Sequence, residues 1–279
     1  VLWVDALCIN QVDKAEVNTH VKMMGHIYSC AERVLVWLGV EHEQDSSAIE
    51  AIQETAKLLN ELAERDEVSV ELFAETFLNN PKLPANGWQH IGNLFPRPYF
   101  KRLWVIQEVV NSTSTEVLYG DQTIKWDDII KILSLYSALR FCLPEAKSSF
   151  RLSPLEESNV QYLLSTTFFT PGRTNKPGRP LFDILFHTHG FQATDVRDKI
   201  FSILNLPWFE DKWLPIPRYE ISPSEVFRDF AIIELTRNNS VNLLSWVNTA
   251  SVERSPHDTS PSWVPSIDDF QGPAPSFFM

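Results

Sequence analysis

The sequence predicts an α/β protein, a parallel sheet with flanking helices followed by a mostly helical extension. Residues 2–9 and 33–38 are short apolar runs that bracket a helical pattern within the first 40 residues. Strand, helix, strand at that spacing gives a parallel strand pair joined by a right-handed crossover. Beyond residue 180 the periodicity is helical, with little strand pattern. With 279 residues and 44% hydrophobic content the chain can bury a sizeable core, so it is not disordered.

Residues 2–9 (LWVDALCI) are interrupted only by Asp5 and read as a buried strand. Asn10-Gln11-Val12-Asp13 follows as a polar turn in which Asp13 caps the next helix. Across 14–31, Val17, Val21, Met24, Tyr28 and Ala31 recur at steps of four and three, which makes one apolar helical face. A strand over 33–38 (RVLVWL) ends at Gly39. Helical pattern returns over 46–65, with Ile49, Ile52, Leu58 and Leu62 as core positions, and again over 68–78. The stretch 79–87 is a loop by its Pro, Asn and Gly content. Helices are expected at 88–94 and 99–110, the second with Pro98 in its first turn. Strands at 116–119 and 123–126 flank a Gly120-Asp121 hairpin turn, and a helix runs from Asp127 to Phe141. Residues 143–160 are mixed and 170–180 form a loop. Further helices are expected at 181–188, 195–205 and 223–238, before an irregular tail from 255 in which Trp263 and Val264 dock on the body. The chain divides into a core at 1–143, a linking region at 144–180 and a helical extension at 181–279.

Twenty-four basic and 36 acidic residues give a net charge of −12, which repels nucleic acid and anionic membrane surfaces at long range. No segment is apolar for long enough to span a bilayer. Cys8, Cys30 and Cys142 are scattered and odd in number, which fits reduced thiols in the cytoplasm. The opening Val1-Leu2-Trp3-Val4 reads as the middle of a fold, so an earlier first strand is expected to be missing.

Asn10, Gln11 and Asp13 stand at the carboxyl end of the first expected strand, where ligands sit in open parallel sheets. A capped turn explains the same residues and is the favoured reading. Asp5, inside an apolar strand, needs a partner such as Arg33 or Arg102, and a structural ion pair is favoured over catalysis. Glu108 follows Trp104 by four positions and shares its helical face. A carboxylate beside an indole is partly desolvated, which raises its pKa and suits it to proton transfer or cation stabilisation. A salt bridge to Arg97, Lys101 or Arg102, orienting the helix, is the reading the residues alone favour. His187 and His189 lack a third ligand, so no metal site is expected, and Asp195, Arg197 and Asp198 read as capping and ion-pair residues at a helix start. Neither a G-x-x-x-x-G-K loop nor a G-x-S-x-G elbow occurs, and Cys8 reads as inert packing.

LWVDALCINQ, the helix carrying Met24 and Ile27-Tyr28, and RVLVWLG together resemble the central signature of fungal heterokaryon-incompatibility (HET) domains. Arg97-Pro98-Tyr99-Phe100-Lys101-Arg102-Leu103-Trp104-Val105-Ile106-Gln107-Glu108 resembles the family's second hallmark. Thr194–Phe201 and Pro261–Pro265 are similar to downstream elements, so the likeness covers 1–110 in its core and reaches 265. The chain departs at the front, where HET domains begin with a strand and a glycine-containing loop. The resemblance implies a role in fungal non-self recognition and regulated cell death, exerted through protein partners or self-association. The order of elements, ending in Trp-x-x-x-Glu, also resembles the Toll/interleukin-1 receptor (TIR) fold, a flavodoxin-like parallel sheet. Several TIR-like proteins cleave the nicotinamide–ribose bond of NAD with a glutamate in such a helix. That likeness implies catalysis by Glu108 beside Trp104 and nucleotide contacts from Asn10 and Gln11, with Asp13 of the same turn and Asp5 of the strand before it as further ligand-binding candidates. NAD would be a substrate, with no resident cofactor. A non-enzymatic interaction module remains the alternative.

Overall fold

The computed structural model describes residues 1–40, 46–64, 87–142, 152, 159–160, 162–163, 181–207, 213–247 and 261–265. In chain order its elements begin with α1 (Asp5–Cys8), α2 (Lys14–Cys30), β1 (Val34–Trp37), α3 (Ser46–Ala63), α4 (Gly87–Gly92) and α5 (Pro98–Lys101). They continue with α6 (Val105–Asn111), β2 (Thr115–Tyr119), β3 (Gln122–Lys125), α7 (Trp126–Cys142), α8 (Leu181–Thr188), α9 (Asp198–Phe201) and α10 (Pro223–Thr236). A 3-10 turn, Asn242–Trp246, follows. These segments form two units interleaved along the chain. The expected helix at 68–78, the loop at 170–180, and most of 143–160 and of the tail lie outside the described residues.

One unit comprises Ala31–Arg102 and Ser112–Phe169 and holds the sheet. β1 runs parallel to β2 with Val36 opposite Val117, and β2 runs antiparallel to β3 with Val117 opposite Ile124. Gly120 has φ +55°, so glycine supplies the positive φ that a two-residue hairpin loop requires at its first position. Side chains alternate across the strands: Val34, Val36, Val117, Tyr119 and Ile124 are buried, whereas Leu35 and Trp37 are exposed. The buried face packs against α3 and α7, which contribute Ile49, Ile52, Ile129 and Leu133. Arg97 fixes the end of β1, donating from Nη1 to the Leu38 carbonyl at 2.9 Å and from Nη2 to the Tyr119 hydroxyl at 2.7 Å.

The other unit comprises Val1–Cys30, Leu103–Asn111 and Thr170–Met279. In it α2 packs on α6, burying Val21, Met24 and Gly25. Ser222 and Glu225 form a complete capping box at the start of α10, with Pro223 in the first turn. Val264 is fully buried, as expected of a docking tail residue, while Trp263 stays on the surface. Gly25 lies against Asn205: a Cβ there would stand 2.6 Å from the Asn205 Cβ and 2.7 Å from its carbonyl oxygen. A backbone oxygen cannot rotate aside. Gly25→Ala should therefore destabilise the protein by about 1–3 kcal/mol, although alanine is the better helix former. A chemical-denaturation midpoint at or above wild type would refute this.

Three expectations need correction. Residues 2–9 do not form a strand; Asp5–Cys8 is a short helix whose side chains are not buried, and Leu7 and Cys8 are exposed. A short apolar run is ambiguous between strand and helix, and here Asp5 takes the first turn, its Oδ1 accepting from the Ala6 N–H at 2.7 Å. The parallel pair is thus β1 with β2, joined by the long helical connection, and Cys8 is an exposed thiol. The expected helix at 99–110 is broken between α5 and α6, because the Leu103 N–H donates to the Gln192 carbonyl at 2.9 Å instead of within the helix. The expected helix at 195–205 shrinks to α9, since Asp195 Oδ1 accepts the Arg197 N–H at 3.0 Å and imposes a turn ahead of it.

Candidate functional site

Helix α6 is enclosed on all sides, with Val105 through Val110 buried in succession. A helix buried all round is normally apolar. Gln107 and Glu108 interrupt that pattern, at 0% and 9% exposure. Trp104 precedes the helix, its carbonyl accepting the Glu108 N–H at 3.2 Å, which places the two residues one turn apart as the spacing predicts.

The Trp104 indole is fixed from a distant part of the sequence. Its Nε1–H donates to Asp198 Oδ2 at 3.1 Å, and the Tyr219 hydroxyl donates to the other oxygen, Oδ1. Burial pushes the Asp198 carboxyl above its ordinary range, while the bonds from Tyr219 and Trp104 pull the other way. Burial, together with the adjacent Asp198 charge, raises Tyr219, so its hydroxyl stays protonated and donates. With a donor on each oxygen, Asp198 holds its neighbours in place.

Arg197 extends the cluster. Its Nε and Nη2 grip both oxygens of Asp195, at 2.8 and 2.6 Å, and Nη1 donates to the Tyr219 and Ile221 carbonyls, each at 2.7 Å. Burial alone would raise Asp195, but its hydrogen bonds from Arg197 outweigh that and hold the carboxyl below its ordinary value. Lys199 is buried and donates from Nζ to the His189 carbonyl at 2.8 Å and to the Phe191 carbonyl. Burial lowers its ammonium to about 8. An amine retains enough N–H groups for both carbonyls in either protonation state.

The sequence marked Asp195, Arg197 and Asp198 as capping and ion-pair residues, and Asp195 with Arg197 fulfils that. The burial of Asp198 and the parts played by Lys199 and Tyr219 were not legible, because a run of charges reads as solvated surface. Only the resemblance at Thr194–Phe201 pointed to that block.

Asn10, Gln11 and Asp13 share one exposed turn after α1, which begins at Asp5, and their polar groups bond locally. Asn10 Oδ1 accepts from the Val12 N–H at 3.2 Å, and Gln11 Nε2 donates to the Asp5 carbonyl at 3.1 Å. Asp13 Oδ1 accepts from the Ala15 and Glu16 N–H groups at 2.9 and 3.2 Å, as a helix cap does. Arg33 does not serve Asp5, since it pairs with Glu116 at 3.1 Å. The turn stands at the end of α1, where a strand end was expected, and the Trp104 indole turns to Asp198. Among the described residues no group of three or more His, Cys, Asp or Glu could hold a metal ion, and no helix is long and apolar enough to cross a membrane.

Comparison with known proteins bears on these segments. Residues 1–108 match the family model described as heterokaryon incompatibility protein (HET). The chain is 25% identical over 308 residues to heterokaryon incompatibility protein 6, OR allele, of Neurospora crassa, an alignment covering 95% of this chain and 44% of that relative. The chain thus spans less than half the length of the curated relative it matches. No solved structure matches.

Proposed function

We propose that the chain is the effector part of a fungal incompatibility protein, a reading supported by the match of residues 1–108 to the heterokaryon incompatibility (HET) family model. It acts through contacts with protein partners or with further copies of itself to trigger regulated cell death in the cytoplasm. The carrying observation is that the likeness to the Neurospora protein runs through 95% of the chain, far past residue 108. The likeness therefore reaches the segment that anchors Trp104. Expression of the full-length protein in a fungal host should arrest growth, and normal growth at confirmed expression would sink the proposal.

A second reading gives α6 a chemistry. Glu108 is an enclosed carboxylate one turn beyond an indole that Asp198 fixes in place. A preorganised carboxylate in a water-poor site stabilises the positive charge that develops as a glycosidic C–N bond breaks. NAD, which carries such a bond between ribose and nicotinamide, is the proposed substrate. The parallel β1/β2 pair with its helical connection supports a TIR-like interpretation of the sheet. Incubated with NAD, the full-length protein should release nicotinamide, and Glu108→Gln should reduce that release at least a hundredfold. Absence of release, or equal release from the variant, would end this reading.

A further inference from the structure

Trp213 is 61% exposed, yet its place is fixed by a polar chain that starts in the interior. The buried Glu234 carboxylate accepts from Asn238 Nδ2, and the same nitrogen donates to the Trp213 carbonyl at 3.1 Å. Asn238 Oδ1 accepts the Trp213 N–H at 3.2 Å, and the Arg237 guanidinium lies over the indole, 5.0 Å from its ring centre. The chain then turns at Asn239, with φ +50°, and Val241 and Leu244 beyond it are exposed. Ile216, three positions from Trp213, is exposed as well. Single exposed apolar side chains are ordinary, whereas several beside a fixed aromatic mark an interaction surface.

Charge identifies what covers it. Arg218 and Arg228 both reach Asp229 and share its carboxylate. Arg237 pairs with no carboxylate among the described residues and has the indole face instead. A guanidinium stacked in that way keeps its planar edge for an incoming carboxylate, which it takes through two parallel N–H···O bonds. The indole and the aliphatic side chains near it suit an apolar neighbour. We propose that this end of α10 binds an acidic and apolar segment of a protein partner, in which carboxylates alternate with large aliphatic side chains. An anionic bilayer fits less well. Such surfaces are recognised by clusters of about 4–8 basic side chains, and their extended charge meets repulsion from the whole chain at −12. A short segment senses only charges within about 8 Å at physiological ionic strength. The inference rests on the effector reading and deepens it by naming the surface and the chemistry of the partner.

The probe is a short fluorescein-labelled peptide of alternating Glu and Leu, titrated into the 279-residue chain and followed by fluorescence anisotropy. It should bind at least tenfold more tightly than peptides of alternating Lys and Leu or of alternating Glu and Ser. Trp213→Ala and Arg237→Gln should each weaken it at least tenfold at unchanged Tm, since both side chains are on the surface. Arg237→Lys should recover only part, because a point charge lacks the fork and the stacking. Equal binding of the three peptides overturns the inference from wild type alone, whatever the variants do. Cosedimentation with vesicles of equal parts phosphatidylcholine and phosphatidylserine that Trp213→Ala abolishes also overturns it. So does a wild-type dimer, seen by light scattering, that the same substitution dissociates. Growth arrest in the fungal host separates this inference from the reading beneath it. Arrest that Trp213→Ala and Arg237→Gln leave intact retains the effector and discards the surface. Peptide binding that needs both residues, in a protein that causes no arrest, retains the surface and discards the effector.

Discussion

Replacing Arg197 by methionine should destabilise the protein by about 2–4 kcal/mol. Methionine keeps most of the side-chain volume, so the loss is of polar contacts. Arg197 is 14% exposed at its side chain and bonds to both Asp195 oxygens and to the carbonyls of Tyr219 and Ile221. Its removal strands a carboxylate and two backbone acceptors together. Arg197→Lys should recover only a minor part, because a point charge cannot reproduce a planar fork with four acceptors. Urea denaturation should show a lower midpoint at unchanged slope, and a midpoint within experimental error of wild type would contradict the assignment. The pH dependence gives a second check. The Asp195 carboxyl is held below its ordinary 3.8 by the Arg197 bonds acting against burial. Its stabilisation is therefore present above 3.8 and lost as pH falls through the lowered value, and Arg197→Met should flatten that acid limb. Lys199 acts at the other end of the scale. Burial lowers it from 10.5 to about 8, so its contribution is complete above 10.5 and lost as pH falls from there through 8.

Why the sequence disclosed some of this and not the rest follows from the range of the interactions. Helix α2, strand β1 and the β2–β3 hairpin were legible because their signals are local: a 3.6-residue period, a β-branched run, a glycine at a loop. The Asp13 cap is equally local. Residues 2–9 differ from expectation because a run of that length carries no period able to tell strand from helix. The break at Leu103 depends on Gln192, 89 positions away, and no propensity reports such a bond. The candidate site divides in the same way. Trp104 and Glu108 were found from their spacing, whereas the anchor at Asp198 comes from a segment 94 residues downstream. Gln107 was visible in the motif, but its unsatisfied amide became apparent only once its surroundings were packed.

A protein ending after Cys142 should fail to fold the unit that holds α2 and α6, even though the family match ends at residue 108. Helices α2 and α6 find their partners far downstream. Tyr219 donates its N–H to Asn18 Oδ1 at 2.8 Å, and Asn205 Nδ2 donates to the Val21 carbonyl at 2.6 Å, both on α2. On the other side Gln192 takes the Leu103 N–H and Asp198 takes the Trp104 indole. Each partner lies beyond residue 181, in the body to which Phe201, Phe227 and Phe230 also belong. Truncation would leave α6, with its continuous buried run Val105–Val110, facing water. At about 25 cal/mol per Å² of apolar surface, no isolated helix of that length survives such exposure. Circular dichroism and one-dimensional NMR of residues 1–142 should show lost α2 and α6 structure and aggregation, while residues 1–265 fold cooperatively. A folded 1–142 in which the Trp104 indole proton keeps its dispersed shift would show that the downstream segment decorates the domain. Failure of the short chain would place Arg197, Asp198 and Lys199 inside the minimal folding unit, and would require activity tests of Glu108 to include them.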